Sequence, residues 1–183
     1  MDAELESLFS PASNAIVARL LPTKFLEMLE HGDGMMVHID VKDAVLTVKQ
    51  ETPTIVKCLL ADGETRACGL GRVLPGQRDG SLLWHRNITA LIKNELNMTP
   101  HAPCPCILKS EDNSCFVLIH VDDILAVGRR EFVNKLVKCL RSKYEVSTLV
   151  MEKPGDELQF LKRRVVLQHD YIQTYDTNTS QTR

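Results

Sequence analysis

The sequence has little net charge, few aromatic side chains and no long apolar run. Its 183 residues carry 22 Lys and Arg against 24 Asp and Glu, a net charge of −2, so the overall basic surplus of a dedicated nucleic-acid-binding domain is missing. Aromatics make up only 5%, while 44% of residues are hydrophobic and 25% charged. These are ordinary globular proportions, and they exclude a fibrous or disordered class. No stretch approaches the roughly 20 apolar residues that span a bilayer. The opening Met1-Asp2-Ala3-Glu4-Leu5-Glu6 has neither the basic nor the apolar region of a secretory leader. No internal repeat, low-complexity tract or long linker interrupts the chain, and its length suits one core. The expectation is a single soluble, intracellular domain, cytoplasmic or nuclear, with no membrane partner.

Six cysteines are present: Cys58, Cys68, Cys104, Cys106, Cys115 and Cys139. Without an export signal they are expected as reduced thiols. His101, Cys104, Cys106 and Cys115 form the densest group of soft donors. Cys-Pro-Cys is not zinc-knuckle spacing, however, and Cys115 opens an apolar strand, so these residues are assigned to core and loops rather than to zinc.

Charge is unevenly placed. Residues 1–64 hold 5 basic and 11 acidic side chains, and residues 129–164 hold 10 and 5. The C-terminal third could offer a basic face to phosphates, although a solvated surface gives the same pattern.

The pattern of apolar residues predicts six elements. A helix capped by Ser13 runs toward Glu30, kinked at Pro22 and stopped by Gly32. A strand over Met35-Met36-Val37-His38-Ile39 delivers Asp40 at its end. The segment 50–80 is rich in Gly, Pro and charge, with a possible strand at Ile55–Leu60. Ser81 opens an amphipathic helix carrying Leu82, Leu83, Ile88, Leu91, Ile92 and Leu96 at three- and four-residue spacings. Two apolar runs, Cys115–His120 and Ile124–Gly128, flank Val121-Asp122-Asp123 as a buried hairpin with acids at its tip. A helix with Phe132, Val133, Leu136, Val137 and Leu140 on one face follows, then a last strand from Phe160 to Leu167. The tail from Thr174 is polar and expected to be loose. This order predicts an α+β fold, with helices packed on one face of a mostly antiparallel sheet.

Adjacent carboxylates between apolar strands repel each other and lose solvation, which a divalent cation relieves; oxygen ligands suit Mg²⁺. An Asx-type turn accounts for the same residues without metal. Asp40 supplies the third carboxylate that a two-metal phosphoryl-transfer site needs, provided the fold brings strand end and hairpin tip together. Asp43 competes for that role but is expected to face solvent.

Four segments carry a family resemblance. Asp40-Val41-Lys42-Asp43-Ala44-Val45-Leu46 resembles the motif Asp-Val-Lys-x-Ala-Phe-Leu, and His120-Val121-Asp122-Asp123-Ile124-Leu125 resembles Tyr-Val-Asp-Asp. Leu74-Pro75-Gly76-Gln77-Arg78-Asp79-Gly80, followed by Trp84, resembles Leu-Tyr-Gly-Leu-Lys-Gln with its downstream Trp. Phe160-Leu161-Lys162 sits where Phe-Leu-Gly is found. In this order the motifs resemble the reverse transcriptase of copia-type LTR retrotransposons, from about Phe9 to Ile172.

The resemblance implies a palm-like domain over residues 9–172, between an N-terminal tail, 1–8, and a polar C-terminal tail, 173–183. The family's fingers, thumb and ribonuclease H are expected to be missing, so that the chain is a truncated fragment expected not to polymerise on its own. It implies RNA-directed DNA polymerisation with an RNA or DNA template, a primer and dNTP. Asp40, Asp122 and Asp123 would be catalytic and hold two Mg²⁺ or Mn²⁺ ions. Val45, Gly76 and Gln77 would lie by the nucleotide and template, and Phe160, Leu161 and Lys162 would grip the primer. Val45 replaces the family's aromatic, His120 its Tyr and Lys162 its turn Gly. The bland readings are a surface turn for Gly76 and Gln77, and core for Trp84, Met35 and Met36. The alternative function is a non-catalytic remnant that binds nucleic acid or protein, and a third is an unrelated metal-binding domain using the same acids.

Overall fold

Long stretches of alternating and continuous apolar residues in this chain select strands over helices. A computed structural model describes the backbone of residues 15–176 and the side chains from residue 19. Among the described residues there are three α-helices: α1 (Ala15–Glu30), α2 (Gly80–Leu96) and α3 (Arg130–Arg141). The central sheet contains β1 (Gly34–Val41), β4 (Thr99–His101), β5 (Cys104–Lys109), β6 (Cys115–His120), β7 (Asp123–Arg129) and β8 (Val146–Met151). Its strand order is β4-β5-β6-β7-β1-β8, and all of its pairs are antiparallel. A two-stranded ribbon, β2 (Ile55–Leu59) with β3 (Thr65–Gly69), stands apart. A second small sheet is formed by β9 (Glu157–Phe160), β10 (Arg163–Leu167) and β11 (Ile172–Asp176). The architecture is the expected α+β one, with a mostly antiparallel sheet.

Each sheet face has its own core. Met35, Val37, Ile39 and Val41 of β1 point to α2 and α3, where Trp84, Ile88, Ile92, Val133, Leu136 and Leu140 are buried. The alternate residue Met36 faces the other way, joining Leu118, Leu125 and Val127 against Leu21 and Phe25 of α1 and Leu158, Val165 and Leu167 of the small sheet. Strand β1 is therefore covered on both faces, which explains its nearly continuous apolar run. Two helices lie on one face; α1 shares the opposite face with the small sheet.

Gly128 marks a close approach of backbones: a Cβ there would sit 2.6 Å from the Ser114 carbonyl oxygen, and Arg129 N–H donates to that carbonyl. Helix α1 contains Pro22 and stops where expected, Gly32 adopting φ +77 and donating its N–H to Leu29 C=O. Ser13, the expected cap, lies outside the described residues. Helix α2 begins one residue before Ser81, at Gly80, and the side chain of its cap residue, Asp79, makes no bond to the helix N-terminus.

The C-terminal third departs most from expectation. Phe160–Leu167 is not one strand: β9 ends at Phe160, the chain reverses at Leu161 (φ 49) and Lys162 (φ 60), and β10 pairs back in register, Arg163 opposite Phe160. The polar segment from Thr174 is ordered as far as Asp176 by pairing with β10. Strands β3, β4, β5 and β8 also went unforeseen, because β3 and β4 are wholly exposed and lack an apolar alternation to reveal them. Among the described residues no helix is long and apolar enough to cross a membrane.

Candidate carboxylate site at the hairpin tip

The position of β1 between β7 and β8 settles where the acids meet. Its register with β7 sets Asp40 opposite Asp123, which in an antiparallel ladder leaves the Cα atoms about 5 Å apart. One residue on, Val41 N–H donates to the Asp122 carbonyl at 3.1 Å. The strand end and the hairpin tip are thus stitched together, and the three acids occupy one end of the sheet. Asp40 and Asp123 are half-buried; Asp122 is exposed on the turn. Asp43 is exposed, past the end of β1, in left-handed backbone at φ 52. Among the described residues, no group of three or more acid, His or Cys side chains converges closely enough to hold a metal ion.

His38 is the residue that sequence reasoning missed. Two residues before Asp40 on the same strand, it projects to the same face, and its Nε2 lies 2.8 Å from Asp123 Oδ1. An ionised carboxylate only accepts, so the ring N–H donates. The edge of the Phe160 ring packs on His38, with centroids 5.8 Å apart at 66°. The structure therefore brings Phe160, where the β9–β10 turn begins, against the histidine that is bonded to Asp123, with Leu161 and Lys162 following it in the turn. The His-x-Asp spacing on a strand was the available signal.

The tip itself is strained. Val121 holds φ 55, a region that a β-branched residue rarely adopts. It is held there by Trp84, whose Nε1–H donates to the Val121 carbonyl at 2.5 Å. Trp84 is fully buried, as expected of a core residue, and stacks edge-on with Tyr144 at 5.3 Å. Tyr144 in turn accepts a bond from Asn87 Nδ2 at 2.9 Å. Backbone strain held by a buried anchor is commonest at functional sites.

The remaining predicted site residues lie along the segment that follows β1. Val45 is half-buried in a short 3₁₀ turn, Ala44–Thr47, packed on the helix-side core. Leu74–Gln77 forms a turn closed by Gln77 N–H to Leu74 C=O at 3.1 Å. Pro75 precedes Gly76 at φ +85, the type II arrangement that favours glycine. The Gln77 amide bonds to Asp79 (2.8 Å) and Gln50 (3.3 Å), so its contacts knit the loop rather than reach the acids. The cysteines are split by strand alternation. Cys115 is buried in the helix-side core, whereas Cys106 belongs to the opposite one, which rules out the four-donor zinc grouping.

No family model matches the sequence, and no curated protein matches it. Solved structures do. A telomerase from Candida tropicalis, in its apo form truncated from the C-terminal domain, superposes with a TM-score of 0.58 at 10% identity, over 90% of this chain and 40% of that one. The telomerase of Candida albicans, in complex with a fragment of telomeric RNA, superposes with a TM-score of 0.54 at 14% identity, over 96% and 36%. The fold is reverse-transcriptase-like. The chain spans less than half the length of either telomerase, and identity this low speaks for the fold alone.

Proposed function

We propose that this chain is the palm of a copia-type reverse transcriptase, with Asp40, Asp122 and Asp123 as the carboxylates of an RNA-directed DNA polymerase site. One observation carries the reading: Asp40 and Asp123 are register partners, and Asp122 is bonded through its backbone to the residue after Asp40. The partners proposed are an RNA or DNA template, a primer and dNTP.

Carboxylate oxygens are the ligand type that hard divalent cations take, although among the described residues the three acids do not converge into a closed metal-binding group. Asp40, Asp122 and Asp123 would hold Mg²⁺ or Mn²⁺, which when bound supplies charge stabilisation for phosphoryl transfer. His38 fixes the orientation of Asp123 through Oδ1 and leaves Oδ2 available. Phe160 limits how far the imidazole can swing, and the exposed Lys162 one turn away offers positive charge to a phosphate backbone. Val45 and the Leu74–Gln77 turn would shape the nucleotide side of the site, where a valine excludes less volume than the family's aromatic.

Primer extension on an RNA template with Mg²⁺ or Mn²⁺ tests this reading. Incorporation that disappears in Asp122→Asn supports it. A second reading, a nucleic-acid-binding domain without catalysis, is favoured by the His38–Asp123 bond, which occupies one carboxylate oxygen. Template binding without incorporation under either metal would select it.

A further inference from the structure

We propose that Cys104 and Cys106 form an oxidisable dithiol, a modification site that closes to an intrachain disulfide on exposure to a hydroperoxide. The two residues flank Pro105 at the start of β5, on one side of the strand, because side chains two apart share a face. Their Sγ atoms lie 3.0 Å apart, against about 2.05 Å in a disulfide, so a small side-chain rotation joins them. Pro105 fixes its own φ and restricts the backbone between the thiols. Cys106 is fully buried, whereas Cys104 is half-buried. Both line a cavity of about 840 Å³ between α1 and β5, walled by Leu20, Leu21, Pro103 and Phe116. That cavity gives a small oxidant a route to Cys104 first. Of the other cysteines, Cys115 is buried with its thiol pushed up to about 12 by loss of solvation, Cys139 lies on α3, and Cys58 and Cys68 share a hydrogen bond across the separate β2–β3 ribbon.

The chemistry balances with the peroxide as oxidant. The Cys104 thiolate attacks one peroxide oxygen, the O–O bond breaks, and an alcohol or water leaves, giving Cys104 sulfenic acid. The Cys106 sulfur then attacks Cys104 Sγ; the S–O bond breaks, the Cys106 proton goes to the departing hydroxide, and water is released. Both sulfurs are oxidised and the peroxide is reduced. The ring closed by Cys-Pro-Cys is small, so the bond is strained and readily reopened by a thiol. None of this depends on the polymerase reading.

The test is peptide mapping of the full chain after brief treatment with hydrogen peroxide, followed by alkylation and trypsin. Cleavage after Lys93 and Lys109 yields residues 94–109, whose cysteines are Cys104 and Cys106 alone. The expected product is this peptide lighter by two hydrogens, unalkylated, and alkylated twice once dithiothreitol has been added. Closure should be at least about tenfold faster in the folded chain than in urea, since the fold holds the thiols together. Two alkylated thiols after peroxide, a sulfinic acid on Cys104 beside a free Cys106, or equal rates folded and unfolded would each overturn the proposal. Cys106→Ser should trap the oxidised sulfur on Cys104; the wild-type mapping stands even if that variant does not fold.

Discussion

His38 on β1 and Asp123 on β7 are joined by a hydrogen bond of 2.8 Å between residues 85 positions apart in sequence. Their side chains are only 14% and 34% exposed, so the pair is a tertiary link as well as part of the candidate site. Removing the imidazole leaves a half-buried carboxylate short of a partner, which costs about 1–2 kcal/mol. His38→Leu should lower stability by that amount in urea denaturation at neutral pH. His38→Gln, which keeps a donor, should recover most of it. Equal losses in both variants would mean that the ring's packing on Phe160, not its bond, is what matters.

The strained tip makes a prediction of opposite sign. At φ 55 Val121 bears a left-handed backbone that costs about 1–2 kcal/mol, and its side chain is 40% exposed. Val121→Gly should therefore leave stability unchanged or raise it by up to about 1 kcal/mol, the gain being offset by glycine's larger unfolded-state entropy. Trp84→Phe should lower stability by about 2–3 kcal/mol, combining lost volume with an unpartnered Val121 carbonyl. Urea midpoints of the two variants check both signs.

The Leu161–Lys162 turn has two consecutive residues at positive φ and neither glycine nor asparagine. Type I′ hairpins favour Asn-Gly there. The double substitution Leu161→Asn, Lys162→Gly should raise the stability of the β9–β10 hairpin by about 1–2 kcal/mol. Amide hydrogen exchange of β9 and β10 reads this locally, and faster exchange would contradict the turn assignment.

His85 supplies the pH dependence. It is buried on α2, its Nε2 lacks a partner, and loss of solvation holds its pKa below the ordinary histidine value. The unfolded chain therefore binds the proton more readily than the folded one. Stability from the neutral ring is fully present above about pH 6.5 and is lost as pH falls below it. The difference in stability between wild type and His85→Gln should change between pH 7.5 and pH 5, with the wild type declining more. A constant difference would show the ring to be solvated.

Asp112 gives the reverse case. Bonds from the Ser114 hydroxyl and the Ser110 hydroxyl, then the Ser114 N–H, hold its carboxyl down to about 2. Its contribution is present above about pH 4 and disappears as pH falls toward 2. Asp112→Asn should flatten that part of the acid-unfolding curve; an unchanged curve would mean that the loop's bonds persist without the charge.

Much of this was legible in the sequence because it is local. The apolar run through Met35–Ile39, the two apolar runs around Val121-Asp122-Asp123 and the spacing along α2 and α3 fixed those elements and the α+β class, since side-chain periodicity follows from backbone geometry within each element. The acids could be named as candidates on the same grounds. Strand order could not. Only the tertiary structure inserts β1 between β7 and β8, because both its faces need covering and no neighbour in sequence can cover them. That choice sets Asp40 against Asp123 and His38 within reach of it. It also decided the reversal at Leu161–Lys162, whose residues carry no turn signal, and the pairing of β11, whose order comes from hydrogen bonds to a strand already in place.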